Sequence, residues 1–356
     1  MAKRGLGMGL KPIIGTRVML STPAQMKAWP APVAMAPAAT FFHRSAWQGI
    51  LSEVFGHATF FLYAERAGRI VGVLPLAQVN SRLFGNALVA LPFAVYGGVV
   101  ADDAGALGAL EAEAESIARA LDVAHLEYRN IEARHADWPR QDIYVTFRKE
   151  ILPDEEANML AIPRKQRAMV RKSIKNGLRS EIDPSVDRFF ALYADNVRRH
   201  GTPALPKRYF ERLLGDFGKD CEVMTVVDAE GTPVSSVLSF YFRDEVLPYY
   251  AGDAPRAREL AANDFKYWEL MRRSCARGIK VFDYGRSKVG SGSWSFKKNW
   301  GFEPTPLSYE YRLYKRAAVP QNNPNNPKYK LMIAAWRRLP LWVANRLGPL
   351  IVRNLG

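Results

Sequence analysis

The sequence predicts an α/β chain of the α+β kind, made of two similar halves. Each half reads as a mixed, mainly antiparallel sheet flanked by helices. Three observations carry this. Two hairpins show period-two alternation around a glycine turn, one near Gly68 and one near Gly231. After each hairpin come a further strand, a long helix of 3.6 period and another strand. Landmarks also repeat at a nearly constant offset: Gly68 to Gly231 is 163 positions, Tyr96 to Tyr250 is 154, and Glu127-Tyr128 to Asp283-Tyr284 is 156. A tandem duplication leaves such a shift; chance alignment of two α/β halves is the competing reading.

Residues 1–40 are rich in Gly, Pro and Ala and form a loose basic arm, with a short strand near Val18–Leu20. The first domain spans 41–152. It holds a helix at Ser45–Phe55, the hairpin Thr59–Glu65 and Ile70–Val79, a strand at Ala87–Tyr96, a helix at Ala104–Leu121, and strands at Ala124–Asn130 and Ile143–Lys149. The second domain spans 153–318, beginning where Pro153 and an acidic patch break the pattern. After a basic helix from Pro163 come helices Val186–His200 and Pro206–Phe217 and the hairpin Glu222–Asp228 and Val234–Phe242. Strand Val246–Ala251, helix Arg258–Arg277 and strand Lys280–Tyr284 follow. A long polar and aromatic segment then leads to a last strand, Leu307–Tyr314. Residues 319–356 form a basic amphipathic tail.

At 356 residues, 48% hydrophobic and 24% charged, the chain has ample core material and is too apolar for disorder. No apolar run is long enough to predict a transmembrane helix. Two cysteines exclude a disulfide framework and fit a reducing, cytoplasmic setting. The five histidines lack ligand-pair spacing, so no metal site is expected. The net charge of +15 sits wholly in the two ends. Residues 1–52 and 311–356 contain no Asp or Glu, and the middle is neutral. A nucleic-acid-binding core would not distribute its charge this way.

One basic stretch interrupts the neutral middle. Asn158–Ser180 has seven bases and no acid, with Arg167, Arg171 and Lys175 on one helical face. It reads either as a solvated basic side or as an anion site. The tail, 328–356, mixes Trp336, Trp342 and leucines with arginines and no acid. It reads either as a docked helix pair or as an in-plane anchor on an anionic membrane at its inner face.

The second half carries the unusual residues. Tyr249-Tyr250-Ala251-Gly252-Asp253 ends a strand, as a site or as two half-buried aromatics with a helix-capping Asp253. Asp283-Tyr284-Gly285-Arg286 opens a glycine-rich basic segment that runs to Gly301-Phe302. Such a segment suits a phosphate or a carboxyl-derived anion. Trp294, Phe296 and Trp300 are placed to wall a groove.

These motifs resemble the FemAB family: the Tyr-Ala-Gly-Asp strand end, Asp283–Arg286, and Phe296-Lys297 followed by Gly301-Phe302. That resemblance runs over about 40–315 and implies tandem acetyltransferase-like (GNAT) domains. Known members transfer amino acids from aminoacyl-tRNA to peptidoglycan precursors. Pro163–Arg179, Asn263–Trp268 and the Asn-Pro-rich Gln321–Pro327 resemble a branch associated with exosortase/PEP-CTERM and exopolysaccharide loci. The family resemblance implies that Lys297 stabilises charge at the transferring ester and that Tyr250 lies near donor or acceptor. It further implies that Arg167 and Arg171 face a diphosphate, and that Asp253, Asp283 and Arg286 are positional. The acetyl-CoA motif of ordinary GNAT enzymes is absent after Tyr250, which disfavours acetyl-CoA. The coiled-coil insertion of some relatives has no counterpart, which puts their tRNA contacts in doubt.

The expectation is therefore an acyltransferase that binds no cofactor. It would use aminoacyl-tRNA or another acyl carrier as donor and an envelope or polysaccharide precursor as acceptor. A catalytically silent GNAT-like module that recognises such a precursor at the membrane, and RNA binding alone, stand beside it.

Overall fold

A computed structural model describes residues 15–21, 29–81, 85–320 and 327–354. Strand β1 (Thr16–Leu20), helices α1 (Pro30–Met35) and α2 (Trp47–Phe55), and strands β2 (Ala58–Arg66), β3 (Arg69–Ser81), β4 (Gly85–Val89) and β5 (Val100–Ala101) come first. Helix α3 (Ala104–Ala120) leads to β6 (His125–Asn130), β7 (Arg140–Gln141) and β8 (Tyr144–Glu150). Helices α4 (Glu155–Ala161) and α5 (Arg164–Lys175), strand β9 (Arg179–Asp183), and helices α6 (Asp187–His200) and α7 (Lys207–Phe217) follow. Then come β10 (Cys221–Val227), β11 (Pro233–Phe242), β12 (Glu245–Asp253), α8 (Ala262–Ala276), β13 (Val281–Asp283) and β14 (Ser287–Lys288). The chain closes with α9 (Gly292–Asn299), β15 (Pro304–Pro306), β16 (Ser308–Leu313), α10 (Pro327–Arg338) and α11 (Leu341–Val352).

Two sheets result. The first runs β1-β2-β3-β4-β6-β16-β7, with β5 on β3; the second runs β14-β8-β13-β12-β11-β10-β9, with β15 on β8. Pairing is antiparallel except for β4 with β6 and β12 with β13. Both hairpins form as their alternation predicts. Ala67 and Gly68 both take positive φ at the first turn, as a tight hairpin of this hand demands. This is the two-layer, tandem α/β arrangement the sequence predicts.

Several local expectations need correction. The halves exchange strands: β8 pairs with β13 in the second sheet, and β16 pairs with β6 in the first. No cut at 152 therefore separates two independent sheets. The cores are shared too, since Phe41 stacks on Phe240 with ring centroids 4.2 Å apart. The strand expected over Ala87–Tyr96 stops at Val89, because Leu91 and Phe93 adopt positive φ and turn the chain. The polar segment after β13 contains a helix, α9, capped by the Ser291 hydroxyl. Helix α4 and strand β9 were not anticipated.

The N-terminal arm is docked rather than loose wherever it is described. Strand β1 pairs with β2, Trp29 is fully buried, and Arg243 donates to the carbonyls of Val33 and Ala36. Residues 1–14 and 22–28 lie outside the described residues, as does 321–326 of the Asn-Pro-rich stretch. In the tail, α10 and α11 pack against α6, and Arg198 donates to the carbonyl of Arg337 at 2.9 Å. Leu331, Trp342, Leu347 and Leu350 of this helix pair stay exposed. Among the described residues no helix is long and apolar enough to cross a membrane.

Candidate functional site

The site is built on the turn that follows β13. Asp283 is fully buried there between the two sheets. Its carboxylate accepts from the Tyr96 hydroxyl at 2.8 Å, the Gly285 amide at 2.7 Å and the Arg148 guanidinium at 3.2 Å. Burial pushes its pKa up, and Arg148, Gly285 and Tyr96 oppose that push. Gly285 has φ +62°, so the backbone can fold back onto the carboxylate. This fold-back turns the carbonyls of Tyr284, Gly285 and Arg286 the same way.

Lys297 on α9 meets those carbonyls. Its Nζ donates to them at 2.8, 3.1 and 3.3 Å. The side chain is buried, with the rings of Phe147 and Tyr284 near its ammonium. Burial lowers its pKa to about 7, against the pull of Asp283 and with the push of Arg286. A lysine so held can serve as a fixed charge or as a proton donor near neutrality.

Arg286 leaves the other side of the turn and enters a cleft of about 400 Å³. Its guanidinium lies over the Tyr144 ring at 4.4 Å and donates to the Tyr309 hydroxyl at 3.3 Å. Tyr309 in turn donates to the carbonyl of Val95 at 2.6 Å, and Tyr249 to that of Phe93 at 2.7 Å. The irregular segment after β4 thus fixes both tyrosines. Deeper in the cleft, Arg129 is buried and paired with Glu127 at 2.7 Å.

The structure gathers Asp283, Arg286 and Lys297 around one turn, with Tyr249 nearby. It sets the other candidates elsewhere. Tyr250 lies in an aromatic cluster with Tyr193 and Phe210, its hydroxyl 3.1 Å from that of Tyr209. Asp253 does not cap a helix; it accepts from the Ser235 hydroxyl and from fully buried Lys266 at 2.9 Å. Trp294 and Phe296 do not wall the cleft. The Trp294 ring lies under the Lys298 ammonium, and Phe296 packs on Tyr267 and Trp300. Arg167 and Arg171 lie on α5, which packs on α8; Arg167 donates to the Leu160 carbonyl and Arg171 is exposed. Among the described residues, none of the seven bases of that stretch forms an ion pair with an acid.

Sequence reasoning missed Tyr96 as a partner of Asp283, and missed Arg148, Tyr144, Arg129 and Tyr309. One signal was present. His125, Glu127 and Arg129 alternate on β6 with Leu126 and Tyr128, so polar groups occupy every second position of a fully buried strand. A strand polar on one buried face implies a site there.

Comparison with known proteins agrees with this architecture. Residues 164–298 match the acetyltransferase (GNAT) domain family. Fold and match together define the class, a tandem GNAT-like protein with an acyltransferase-type domain in its second half. More particularly, the chain is similar to the UDP-N-acetylmuramoylpentapeptide-lysine N(6)-alanyltransferase of Weissella viridescens, at 25% identity over 117 residues. That match takes in 32% of this chain and 34% of the relative, so it spans about a third of the curated relative's length. Among solved structures, FemX aligns over 89% of this chain and all of its own, with a TM-score of 0.65 at 16% identity. L-PGS from Bacillus licheniformis aligns over 89% of this chain and 97% of its own, with 0.56 at 13%. A tandem GNAT protein of the clavulanic acid pathway aligns over 86% of this chain and all of its own, with 0.54 at 13%.

Proposed function

We propose that this protein is a Fem-like acyltransferase. It moves an aminoacyl or other activated acyl group onto an amine or hydroxyl of a cell-envelope or exopolysaccharide precursor. The observation that carries the reading is the Lys297 turn: a buried ammonium on three convergent carbonyls, beside an arginine that opens into a cleft. The likeness to an alanyltransferase acting on a muramoylpentapeptide supports the choice of an aminoacyl group and of an envelope-precursor acceptor.

In the proposed reaction the acceptor attacks the acyl carbonyl of the donor ester. A bond from the acceptor's nitrogen or oxygen to the acyl carbon forms, and the ester C–O bond breaks. The acceptor's proton passes to the departing donor oxygen. Lys297 stabilises the negative charge that collects on the carbonyl oxygen. Arg286 orients the acceptor in the cleft, and the unpaired bases of α5, Arg167 and Arg171 among them, hold donor or acceptor phosphates. The donor is aminoacyl-tRNA or another acyl carrier. Residues 328–356 bring the enzyme to the inner membrane face, and the exosortase/PEP-CTERM branch supplies the biological setting.

Lys297→Ala tests this reading against a silent binding module. Transfer from a charged carrier should fall at least 100-fold, as when a charge-stabilising donor is lost, with binding little changed. Transfer that survives the change refutes the assigned role, and wild-type binding without transfer favours the module.

A further inference from the structure

The backbone between β4 and β5 adopts a conformation that ordinary side chains disfavour. Leu91 and Phe93 both take positive φ, 59° and 65°. Such residues are costly and persist only where their surroundings over-determine them. Side-chain donors from three strands do so here. Arg129 of β6 donates to the carbonyls of Leu91 and Ala94, Tyr249 of β12 to that of Phe93, and Tyr309 of β16 to that of Val95. Gly97 and Arg129 also exchange backbone hydrogen bonds at 2.8 and 2.6 Å.

This rigid segment delivers Tyr96. Its ring is buried against Phe42, and its hydroxyl reaches both oxygens of Asp283, at 2.8 and 3.1 Å. Val95 grips the same turn from the other end. Its carbonyl accepts from Tyr309, whose hydroxyl accepts from Arg286, and its side chain lies against Gly285. The contacts close a circuit from Tyr96 through Asp283, Gly285, Arg286 and Tyr309 back to Val95. The three carbonyls that hold Lys297 belong to this turn. An ammonium has three N–H groups, so a lysine that spends all of them on one turn takes its place from that turn.

We propose that Tyr96 is a positioning residue: through Asp283, and with Val95 at the opposite end, it fixes the turn that presents Lys297 and Arg286 together. The first half, which carries no transfer motif, thereby supplies the frame of the site. Within the acyl-transfer reading, on which the bearing on catalysis rests, loss of the Tyr96 hydroxyl slows the chemical step. Acceptor binding suffers less, because Arg286 keeps its hold on Tyr144 and Tyr309.

The test follows Lys297 by NMR in full-length protein whose lysines carry carbon-13 at Cε. Loss of one resonance in Lys297→Arg identifies it. In the wild type it should titrate at about pH 7. Tyr96→Phe keeps the ring and removes only the hydroxyl. Asp283 then holds its charge less well and the carbonyls loosen, and both changes disfavour the ammonium. The other charges near the turn, Arg286 and the Arg148 partner of Asp283, are unaltered. The midpoint should fall by about half a pH unit or more. Tyr309→Phe frees the Val95 end and should speed hydrogen exchange of the Gly285 amide about tenfold. Tyr128→Phe is the control, since it removes a buried hydroxyl without a partner and should move neither readout. An unmoved Lys297 midpoint in Tyr96→Phe, whatever its Tm, overturns the proposal. So does an unchanged Gly285 exchange rate in Tyr309→Phe, or an equal effect from Tyr128→Phe. A parallel assay uses alanyl-tRNA and a UDP-N-acetylmuramoylpentapeptide, where kcat should fall about tenfold in Tyr96→Phe with KM little changed. Transfer with kcat untouched by that variant overturns the positioning role and leaves acyl transfer standing. A moved midpoint without transfer keeps the positioning role and counts against the acyl-transfer reading alone.

Discussion

The pair Asp253–Lys266 predicts an asymmetric response to mutation. Lys266 is wholly buried, whereas the Asp253 side chain keeps 31% of its exposure. Burial works against the lysine's charge, and Asp253 together with Tyr267 and Asp264 outweighs it, so the Lys266 pKa lies above its ordinary value. Asp253→Ala strands a buried ammonium, at a cost of about 3–5 kcal/mol. Lys266→Met instead leaves a carboxylate that water reaches and that the Ser235 hydroxyl still serves. Its cost should be only about 1–2 kcal/mol. With unfolding entropy near 2.1 cal/mol/K per residue over 356 residues, Asp253→Ala should lower Tm by about 4–7 °C. Calorimetry of the two single variants and the double variant measures this. Equal losses from the two singles, or a loss under about 1 kcal/mol from Asp253→Ala, would refute the claim that Asp253 exists to hold the lysine.

Three further outcomes are expected. Gly252→Ala should destabilise by about 3 kcal/mol in urea unfolding, because a Cβ there would overlap the backbone of Leu192 and Tyr193; a neutral change would mean that α6 can shift off β12. The lowered Lys297 pKa of about 7 means the unfolded chain holds the extra proton between about pH 7 and the ordinary lysine range. Stability should therefore rise with pH across that window in the wild type and lose this rise in Lys297→Met, while transfer that needs the ammonium should decline above about pH 7. Arg171→Gln should weaken tRNA binding and lower the slope of log affinity against log salt by about 1; an unchanged slope would assign the phosphate contact to other residues.

Much of the fold was legible because its signals are local. Alternation and glycine turns marked both hairpins, and the 3.6 period marked α3, α6, α7 and α8. Motif residues Asp283, Arg286 and Lys297 were found within fifteen positions, where one turn and one short helix can join them. The tyrosine pair misled at one member. Tyr249 is the extra residue where β12 shifts register against β11, and its ring lies 4.7 Å from that of Tyr250. The Tyr249 hydroxyl reaches the Phe93 carbonyl while that of Tyr250 meets Tyr209, and alternation alone does not reveal a bulge. Trp294 and Phe296 are absent from the cleft lining because Ser291 caps a helix there, on which Trp294 meets the Lys298 ammonium and Phe296 packs on Tyr267 and Trp300.

The sequence by itself determined the fold class, both hairpins, the long helices, the acid-free ends and the residues of the Lys297 turn. Tertiary structure decided which sheet owns β8 and β16, that Tyr96 closes on Asp283 from 187 residues away, and that the tail roofs a cleft. The reason is physical. Propensity and periodicity act over a few residues, whereas strand exchange and buried hydrogen bonds are settled by which distant surfaces fill the space between two sheets.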